Sequence, residues 1–261
     1  MSEFEGRIAV VTGGGRGIGA AISRRLAQGG ATVAVTDYDK TSADELAASL
    51  VSEGLKAVGY QMDVTDSASV SATVSAIEAD VGPIAILVNN AGVSHFTAFL
   101  EMSEEEWDQV LTVNLKGVFL TCRAIVPAMA ARKSGRIVNM SSILGKLGEP
   151  FFVHYSASKF GVIGLTQSIA AEFAADNITA NCVCPGIVET PLWNGLDEEA
   201  VEKSDLFSSP QDVRDFVRAR IPLGRTQPVE DIAEMVAFLA SDKARNMTGG
   251  SYHVDGGMAP R

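Results

Sequence analysis

The sequence contains few cysteines, few histidines and a shortage of basic side chains. Of its 261 residues, three are cysteine and three are histidine, and 32 acidic side chains against 21 basic ones give a net charge of −11. Such an acidic chain is not expected to bind nucleic acid or an anionic membrane, because both are negatively charged. Hydrophobic residues make up 46% and charged residues 20%, which is typical of a folded chain with a sizeable core.

The cysteines, Cys122, Cys182 and Cys184, lack the spacing of a disulfide framework or a metal site. Their number is odd, no Cys-x-x-Cys occurs, and no histidine or acidic residue stands at ligand spacing. We therefore expect buried, reduced thiols and no metal. The first residues have no basic stretch followed by an apolar one, and no run is long enough to span a bilayer. A soluble, cytoplasmic protein is the expectation.

Short apolar runs alternate with helix-like segments along the whole chain. The runs are rich in Val, Ile and Ala, which is typical of strands buried on both faces of a parallel sheet. The alternation predicts a single α/β domain over residues 1–261, with a doubly wound (Rossmann-type), mainly parallel seven-stranded sheet and helices on both faces. The predicted strands are Arg7–Thr12, Thr32–Thr36, Ala57–Met62, Ile84–Asn89, Arg136–Met140, Thr179–Cys184 and Tyr252–Val254.

Helix signals fill the intervals between these runs. Apolar residues of Ile18–Gln28 fall on one face, Ser103 and Glu106 have the spacing of a capping box, and Pro228 opens a late helix. The segment Asn194–Arg220 is acidic and helix-prone and contains no predicted strand. We expect residues 187–225 to form a helical lid or substrate loop, with a solvated surface insertion as the alternative.

Glycines are concentrated where the first strand gives way to the first helix, in Thr12-Gly-Gly-Gly-Arg-Gly-Ile-Gly19. Glycine permits a tight turn and lets the backbone approach a pyrophosphate. The N–H groups at the start of the helix then face the anion. The loop therefore predicts a dinucleotide cofactor, held by Gly13, Arg16, Gly17, Ile18 and Gly19.

The second strand ends at Asp37, 18 residues beyond Gly19. A carboxylate at this position can accept hydrogen bonds from the ribose hydroxyls and repels a 2′-phosphate, which favours NAD over NADP. Arg16 favours the opposite choice, because a basic side chain in the loop could bind that phosphate. NAD is the expected cofactor and NADP the alternative.

Tyr155 and Lys159 stand four residues apart, so on a helix they share a face. An ammonium group beside a phenol stabilises the phenolate and lowers its pKa from about 10. The pair is therefore interpreted as a proton-transfer centre that works near neutral pH.

These motifs, taken in order, resemble the short-chain dehydrogenase/reductase superfamily over essentially the whole chain. Ser142 stands 13 residues before Tyr155, which is the family's usual spacing, and Asn114 matches the family's helix asparagine. The resemblance implies further contacts to the cofactor from Asp63, Val64, Asn90, Ala91, Gly92, Pro185, Gly186, Val188 and Thr190, besides Tyr155 and Lys159.

The resemblance also implies a mechanism and an assembly. Tyr155 would exchange a proton with the substrate oxygen, Ser142 would polarise that oxygen, and Lys159 would lower the pKa of Tyr155 and bind the nicotinamide ribose. Asn114 would kink its helix and hold a water. Ser141 competes with Ser142, but the family's spacing selects Ser142 and leaves Ser141 to bond backbone. A homotetramer is the usual assembly of the family.

The substrate is less well defined by the sequence. The segment from Cys184 to Trp193 resembles NAD-dependent acetoin, butanediol and sugar-alcohol dehydrogenases, which implies a small secondary alcohol, polyol or vicinal diol. Phe96, Phe151 and Phe152 favour an apolar pocket instead, and a cyclic-alcohol dehydrogenase, a 3-oxoacyl-carrier-protein reductase-like enzyme or a non-catalytic NAD-binding scaffold are the alternatives. His154 and Trp193 are candidate substrate contacts, whereas His95 and His253 are interpreted as structural.

Overall fold

The computed structural model describes residues 2–259, which form one sheet of seven parallel strands covered by helices on both faces. The strand order is β3-β2-β1-β4-β5-β6-β7, so the direction of winding reverses between β1 and β4. The prediction of a doubly wound α/β fold is confirmed. The strands are β1 Ile8–Thr12, β2 Thr32–Asp37, β3 Lys56–Gln61, β4 Ile84–Asn89, β5 Gly135–Met140, β6 Ile178–Pro185 and β7 Ser251–Val254.

Two hydrophobic layers enclose the sheet. Apolar residues of α1, α2 and α9 cover one face, and those of α3, α5 and α6 cover the other. The five inner strands between them are buried on both sides, as near-continuous Val/Ile/Ala runs predict, whereas the edge strands β3 and β7 are partly exposed. The helices are α1 Gly17–Gln28, α2 Lys40–Ser52, α3 Ser67–Asp80, α4 Glu104–Leu111, α5 Gly117–Ala131, α6 Val153–Glu172, α7 Pro191–Glu202, α8 Pro210–Ala219 and α9 Val229–Ala240.

The parallel register brings the carboxyl ends of the strands to one edge. Thr12 pairs with Thr36, Val88 with Val138, and Met140 with Val183. In open sheets of this type, ligands bind outside the carboxyl ends of the strands, at the point where the strand order reverses. The edge formed by β1 and β4 is therefore the place where the fold provides a ligand site.

The two helices α4 and α5 join through a π-helical turn, Thr112–Lys116, into one helical stretch. By length and composition, this stretch, Glu104–Ala131, is apolar and long enough to cross a membrane. Lys116 and Arg123 interrupt it, so it passes by its average hydropathy and not as an unbroken apolar run. Half of its most apolar window is buried inside the fold, as in the core helix of a globular domain.

The three cysteines are buried and unpaired, as predicted. Burial raises the pKa of the Cys122 thiol to about 12, so that it is not a reactive thiolate. Among residues 2–259, no three His, Cys, Asp or Glu side chains are placed to hold a metal ion.

Candidate active site

A cavity of about 970 Å³ opens at the carboxyl edge of the sheet. The turns that follow β1, β2, β4, β5 and β6 form its floor, and α7 and α8 cover one side. Its size is at the upper end for sites that take a cofactor or a drug-sized ligand. It contains Ser142, Tyr155 and Lys159 together with nearly every residue predicted to bind the cofactor.

The glycine loop forms the narrow end of the cavity. Gly13 and Gly17 have φ of 58° and 53°, in the left-handed region that glycine adopts without a steric penalty. A Cβ at Gly13 would lie 2.9 Å from Cα of Ala91, and one at Gly19 would overlap the carbonyl oxygen of Gly13. Gly13 and Gly17 line the cavity, whereas Gly19 serves the close packing of α1 against the loop. This is the cradle that a pyrophosphate requires.

Asp37 lies beside this loop and is buried. Its Oδ2 accepts a hydrogen bond from the backbone N–H of Gly15 at 3.1 Å, and its Oδ1 accepts one from that of Asp39 at 3.1 Å. The carboxylate is therefore fixed at the end of β2, facing the cavity. The Arg16 side chain is 65% exposed and lies 3.8 Å from Oδ2 of Asp39.

The remaining cofactor candidates line the same half of the cavity. Nδ2 of Asn90 donates to the carbonyl oxygens of Thr12 and Gly13 at 3.1 and 3.0 Å, which ties the turn after β4 to the glycine loop. Oδ1 of Asp63 accepts from the backbone N–H of Thr65 at 2.8 Å. The other predicted residues that line the cavity are Ile18, Val64, Ala91, Gly92, Pro185, Gly186, Val188 and Thr190. These residues fit a dinucleotide.

Asn114 lies in the π-helical turn and is completely buried. Its Oδ1 accepts from the backbone N–H of Val93 at 2.8 Å, and its Nδ2 donates to the carbonyl of Val93 at 2.8 Å and to Oγ of Ser158 at 3.2 Å. The turn thus departs from α-helical geometry where its asparagine bonds the chain after β4. Such π-turns are frequent at functional sites.

Tyr155 follows the start of α6, with its phenol beside Ser142 at the end of β5. Burial raises the pKa of Tyr155 to about 12, against the opposing effect of the Ser142 hydrogen bond. Oγ of Ser142 also accepts from the backbone N–H of Leu144 at 3.1 Å, which fixes its rotamer. Oγ of Ser141 donates to the carbonyl of Lys159 at 2.9 Å, so Ser141 bonds backbone as expected.

Lys159 lies on the same helical face as Tyr155. Its Nζ donates to the carbonyl of Met140 at 2.9 Å and is 5.4 Å from the centre of the Tyr155 ring. Burial lowers the pKa of Lys159 to about 8. Burial of the phenol keeps the pKa of Tyr155 above its ordinary value, and the lowering of that pKa by the Lys159 ammonium stays a prediction.

His154 is directed away from the cavity, contrary to its selection as a substrate contact. The ring is completely buried. Its Nε2 is 3.1 Å from Oε1 of Glu106, and its Nδ1 accepts from the backbone N–H of Tyr155 at 2.8 Å. Glu106 is also the third helical residue of the predicted capping box: its N–H bonds Oγ of Ser103 at 3.1 Å as expected, but its carboxylate bonds His154.

The other half of the cavity is walled by aromatic and aliphatic side chains. Phe96 stacks on Phe151 with ring centres 4.3 Å apart and meets Phe152 edge-on at 5.6 Å. Trp193, at the start of α7, packs against this group and lines the cavity, as its selection as a substrate contact requires. The predicted lid, which consists of α7, α8 and the segment between them, adds Leu192, Leu196, Ala200, Leu206, Phe207, Val213, Phe216 and Val217.

One ion pair lies on this apolar half. Arg220 at the end of α8 donates from both terminal nitrogens to the two carboxylate oxygens of Glu149, at 2.7 and 2.9 Å. Neither residue could be predicted from the sequence, because neither belongs to a motif and they lie 71 positions apart. The charged residues that line the cavity, among those described, are Arg16, Asp37, Asp63, Glu149, Lys159 and Arg220.

Comparisons with known proteins agree with this geometry. The family model for short chain dehydrogenases matches residues 7–200. The chain is 40% identical over 257 residues to 3-oxoacyl-(acyl-carrier-protein) reductase FabG of Thermotoga maritima, and 38% identical over 255 residues to the protein of that name in Escherichia coli strain K12; each alignment covers 98% of both chains.

A solved structure is similar over the same length. Gluconate 5-dehydrogenase from Burkholderia cenocepacia J2315, in complex with NADP and tartrate, superposes with a TM-score of 0.88 at 35% identity, covering 98% of this chain and 97% of that chain. Sequence, fold and site therefore lead to one conclusion. The chain belongs to the short-chain dehydrogenase family, whose members are oxidoreductases that use a nicotinamide cofactor.

Proposed function

We propose that the protein reduces ketones that carry an apolar chain, with 3-oxoacyl thioesters as the first substrate class to test and NAD(H) as the preferred cofactor. The carrying observation is the aromatic and aliphatic wall that faces Tyr155 across the cavity. Apolar walls with a few placed polar groups favour a ligand whose carbon chain is buried and whose one reacting oxygen is oriented.

The chain's own residues supply the proton path. Tyr155, which its surroundings keep protonated at neutral pH, donates the phenolic proton to the ketone oxygen, while the Ser142 hydroxyl hydrogen-bonds that oxygen and orients it. Lys159 holds a positive charge near the developing phenolate. Asn114 fixes the chain after β4 against α6. The nicotinamide, when bound, supplies the hydride.

A polyol or vicinal diol, which the sequence favoured, is a poorer match. Burying several hydroxyl groups against Phe96, Phe151 and Phe152 would leave them without hydrogen-bond partners, at a cost of about 1–3 kcal/mol each. The named reductases similar to this chain support the thioester class instead. The names of these reductases specify substrates that are attached to an acyl carrier protein. An acidic carrier protein would be repelled by this chain, whose net charge is −11. We therefore propose coenzyme A-type thioesters as the substrates.

NAD(H) is proposed on the position of Asp37. Its carboxylate is fixed by two backbone N–H groups next to the glycine loop, where a 2′-phosphate would meet a negative charge. The similar structure that holds NADP supports the alternative, and Arg16 is the basic residue that could serve it.

Changing Asp37 to Ala should test this choice. We expect the ratio of kcat/KM for NADH to that for NADPH to fall by at least about tenfold, because no carboxylate would then repel the 2′-phosphate. A tenfold change corresponds to about 1.4 kcal/mol of discrimination between the two cofactors. Changing Asp63 to Ala is the matched control: it removes another carboxylate of the cofactor half, so it should affect both cofactors alike and leave their ratio unchanged. A wild-type preference for NADPH would contradict the proposal.

Sugar alcohols are the second candidate. Ser94 lines the cavity, and its Oγ atom is buried without a partner among the described residues, so a rotation of this side chain could offer it to a substrate hydroxyl. The structural similarity to a gluconate 5-dehydrogenase supports this class.

A substrate panel separates the two. The purified protein would be assayed at the absorbance of reduced nicotinamide with 3-oxoacyl thioesters of increasing chain length, cyclic and aliphatic ketones, diols, and keto-sugar acids. We expect kcat/KM to rise with apolar chain length, by about 0.8 kcal/mol per buried methylene. Turnover confined to hydroxylated substrates would refute the proposal and support the second candidate.

A further inference from the structure

The residue before Tyr155 has both ring nitrogens engaged although it does not reach the cavity. Nδ1 of His154 is 2.8 Å from the backbone nitrogen of Tyr155, and Nε2 is 3.1 Å from Oε1 of Glu106. Because a backbone N–H can only donate, Nδ1 is the acceptor and Nε2 carries the ring proton. The geometry therefore requires a neutral imidazole whose tautomer is fixed by the Glu106 carboxylate.

The backbone of Tyr155 needs such an acceptor. α6 begins at Val153, so the N–H of Tyr155 belongs to the first turn, where no helical carbonyl is available. Phe152, the residue just before α6, cannot cap the helix, because its side chain has no hydrogen-bond acceptor. The next N–H, of Ser156, bonds the carbonyl of Phe152 at 2.8 Å. His154 thus supplies the missing partner at the residue that carries the phenol.

We propose that His154 is a positioning residue for the proton transfer: its Nδ1 holds the backbone of Tyr155, while Glu106 on α4 holds the imidazole. The inference rests on the role proposed for Tyr155. Because the ring does not line the cavity, its effect on the reaction passes through Tyr155 and not through the substrate.

Protonation of the ring would break this arrangement. An imidazolium carries an N–H on Nδ1, which would face the N–H of Tyr155 with no acceptor between them. The groups that face the ring are Glu106 on α4, His95 after β4, with ring centres 6.3 Å apart, and Glu199 on α7, 3.4 Å from His95. Burial lowers the pKa of His154, Glu106 and Glu199 raise it, and His95 lowers it; the net direction is down.

The effect of protonating His154 can be isolated by measuring kcat in the direction of ketone reduction. There Tyr155 acts as an acid and Lys159 as a cation, and acidification leaves both protonated. A loss of kcat for ketone reduction at acid pH would therefore report His154. With the pKa lowered from its ordinary value, the ring is neutral at neutral pH, and the loss is expected below the pH at which a free histidine titrates.

Three substitutions test the proposal on whichever ketone the wild type reduces. His154→Leu removes the acceptor and keeps the bulk, and kcat should fall about 10- to 100-fold with little change in KM, because small displacements of a reacting group cost rates of this order. His154→Asn places an amide oxygen near the position of Nδ1, so it should restore most of the wild-type kcat. Because an amide does not titrate, the fall of kcat at acid pH (the acid limb of the pH profile) should disappear in this variant.

The third substitution, Glu106→Gln, keeps an acceptor for Nε2 but removes the charge that raises the pKa of His154. Its acid limb should move to lower pH, which a purely structural role of Glu106 would not produce. His253→Asn, on β7 and outside the cavity lining, is the control and should behave as wild type. Thermal unfolding of each variant identifies any that fail to fold.

Two results would overturn the proposal: a folded His154→Leu variant with wild-type kcat, or an acid limb in His154→Asn and Glu106→Gln that coincides with that of the wild type. If His154→Leu does not fold, the pH profiles of the other two variants decide. Absence of ketone reduction by the wild type itself would instead refute the proposed function.

Discussion

Tyr155 carries the proton in the proposed reaction, and changing it to Phe removes the hydroxyl while keeping the ring. We expect Tyr155→Phe to lower kcat by about 10²–10⁴-fold, the usual contribution of a positioned acid. Binding of reduced cofactor, followed by its fluorescence, should be largely retained.

The matched control is Tyr60→Phe. It removes a hydroxyl on β3 that is 3.3 Å from Oδ2 of Asp80 and outside the cavity lining, so turnover should not change. Near-normal turnover of Tyr155→Phe would assign the proton to another group.

The titration of Lys159 should make kcat for ketone reduction depend on pH. Burial lowers its pKa to about 8, so its charge is present below that pH and is lost as the pH rises through it. We expect kcat for ketone reduction to fall above about pH 8. In Lys159→Arg the fall should disappear, because guanidinium stays charged, although the larger head group should lower the maximum rate. An alkaline limb that persists unchanged in the arginine variant would show that another group causes it.

At the scale of elements, short sequence motifs identified site residues, but the sequence did not show which distant residues contact each other. The glycine loop and Asp37 could be identified because each lies at the end of a strand whose pattern is visible in the sequence, and Ser142 because its spacing from Tyr155 resembles the family's. The partnership of Glu106 with His154 could not, because the two residues are 48 positions apart on different helices, and the capping-box spacing assigned the Glu106 carboxylate to Ser103. For the same reason the raised pKa of Tyr155 was missed, since burial by residues distant in sequence sets it.

The lid helices illustrate the same limit. α8 has its apolar residues on one face, which a helical periodicity predicts, but the partner of that face was not predictable. α7 and α8 are joined by Nε of Arg214 and Oδ2 of Asp197 at 2.6 Å. The Asp197 carboxylate is buried, and its Oδ1 has no partner among the described residues. Burial therefore raises the pKa of Asp197, while Arg214 opposes the rise.

Changing Arg214 to Met should loosen the lid. Without the guanidinium the buried Asp197 carboxylate is uncompensated, so its pKa should rise further. When the pKa of a carboxyl group is raised in the folded protein, the free energy of unfolding decreases as the pH rises through that pKa. We expect a lowered Tm and faster amide hydrogen exchange in α7 and α8, with a deficit that shrinks as the pH falls and Asp197 takes up a proton.

Two variants control this prediction. Asp197→Asn added to Arg214→Met should recover much of the loss, because no buried charge remains. Arg218→Met, which removes an exposed partner of Asp215 on the same helix, should have little effect. Equal deficits at all pH values would indicate that lost packing, and not the Asp197 charge, loosens the lid.

At the scale of the whole molecule, the neighbouring helices α5 and α6 each carry an exposed aromatic side chain. Phe119 on α5 is 44% exposed and Phe160 on α6 is 47% exposed. Phe119 also lines a shallow depression whose other lining residues are Asp108, Leu111, Thr112, Leu115, Lys116 and Leu165. Contiguous exposed apolar surface marks interaction sites more often than chance. The homotetramer stays a prediction, and these exposed side chains lead us to expect α5 and α6 at its interfaces.

Light scattering on the purified protein should give about four times the mass of the chain, and Phe119→Glu combined with Phe160→Glu should reduce it. Two carboxylates buried in an apolar contact between subunits would lose their hydration without a counter-charge, a cost of several kcal/mol per ion. Leu100→Glu, which introduces the same charge at a side chain that is 93% exposed and lies on neither helix, is the control and should keep the wild-type mass. A wild-type mass of one chain at micromolar concentration would refute the assembly, whereas a tetramer indifferent to both glutamates would place its interfaces away from α5 and α6.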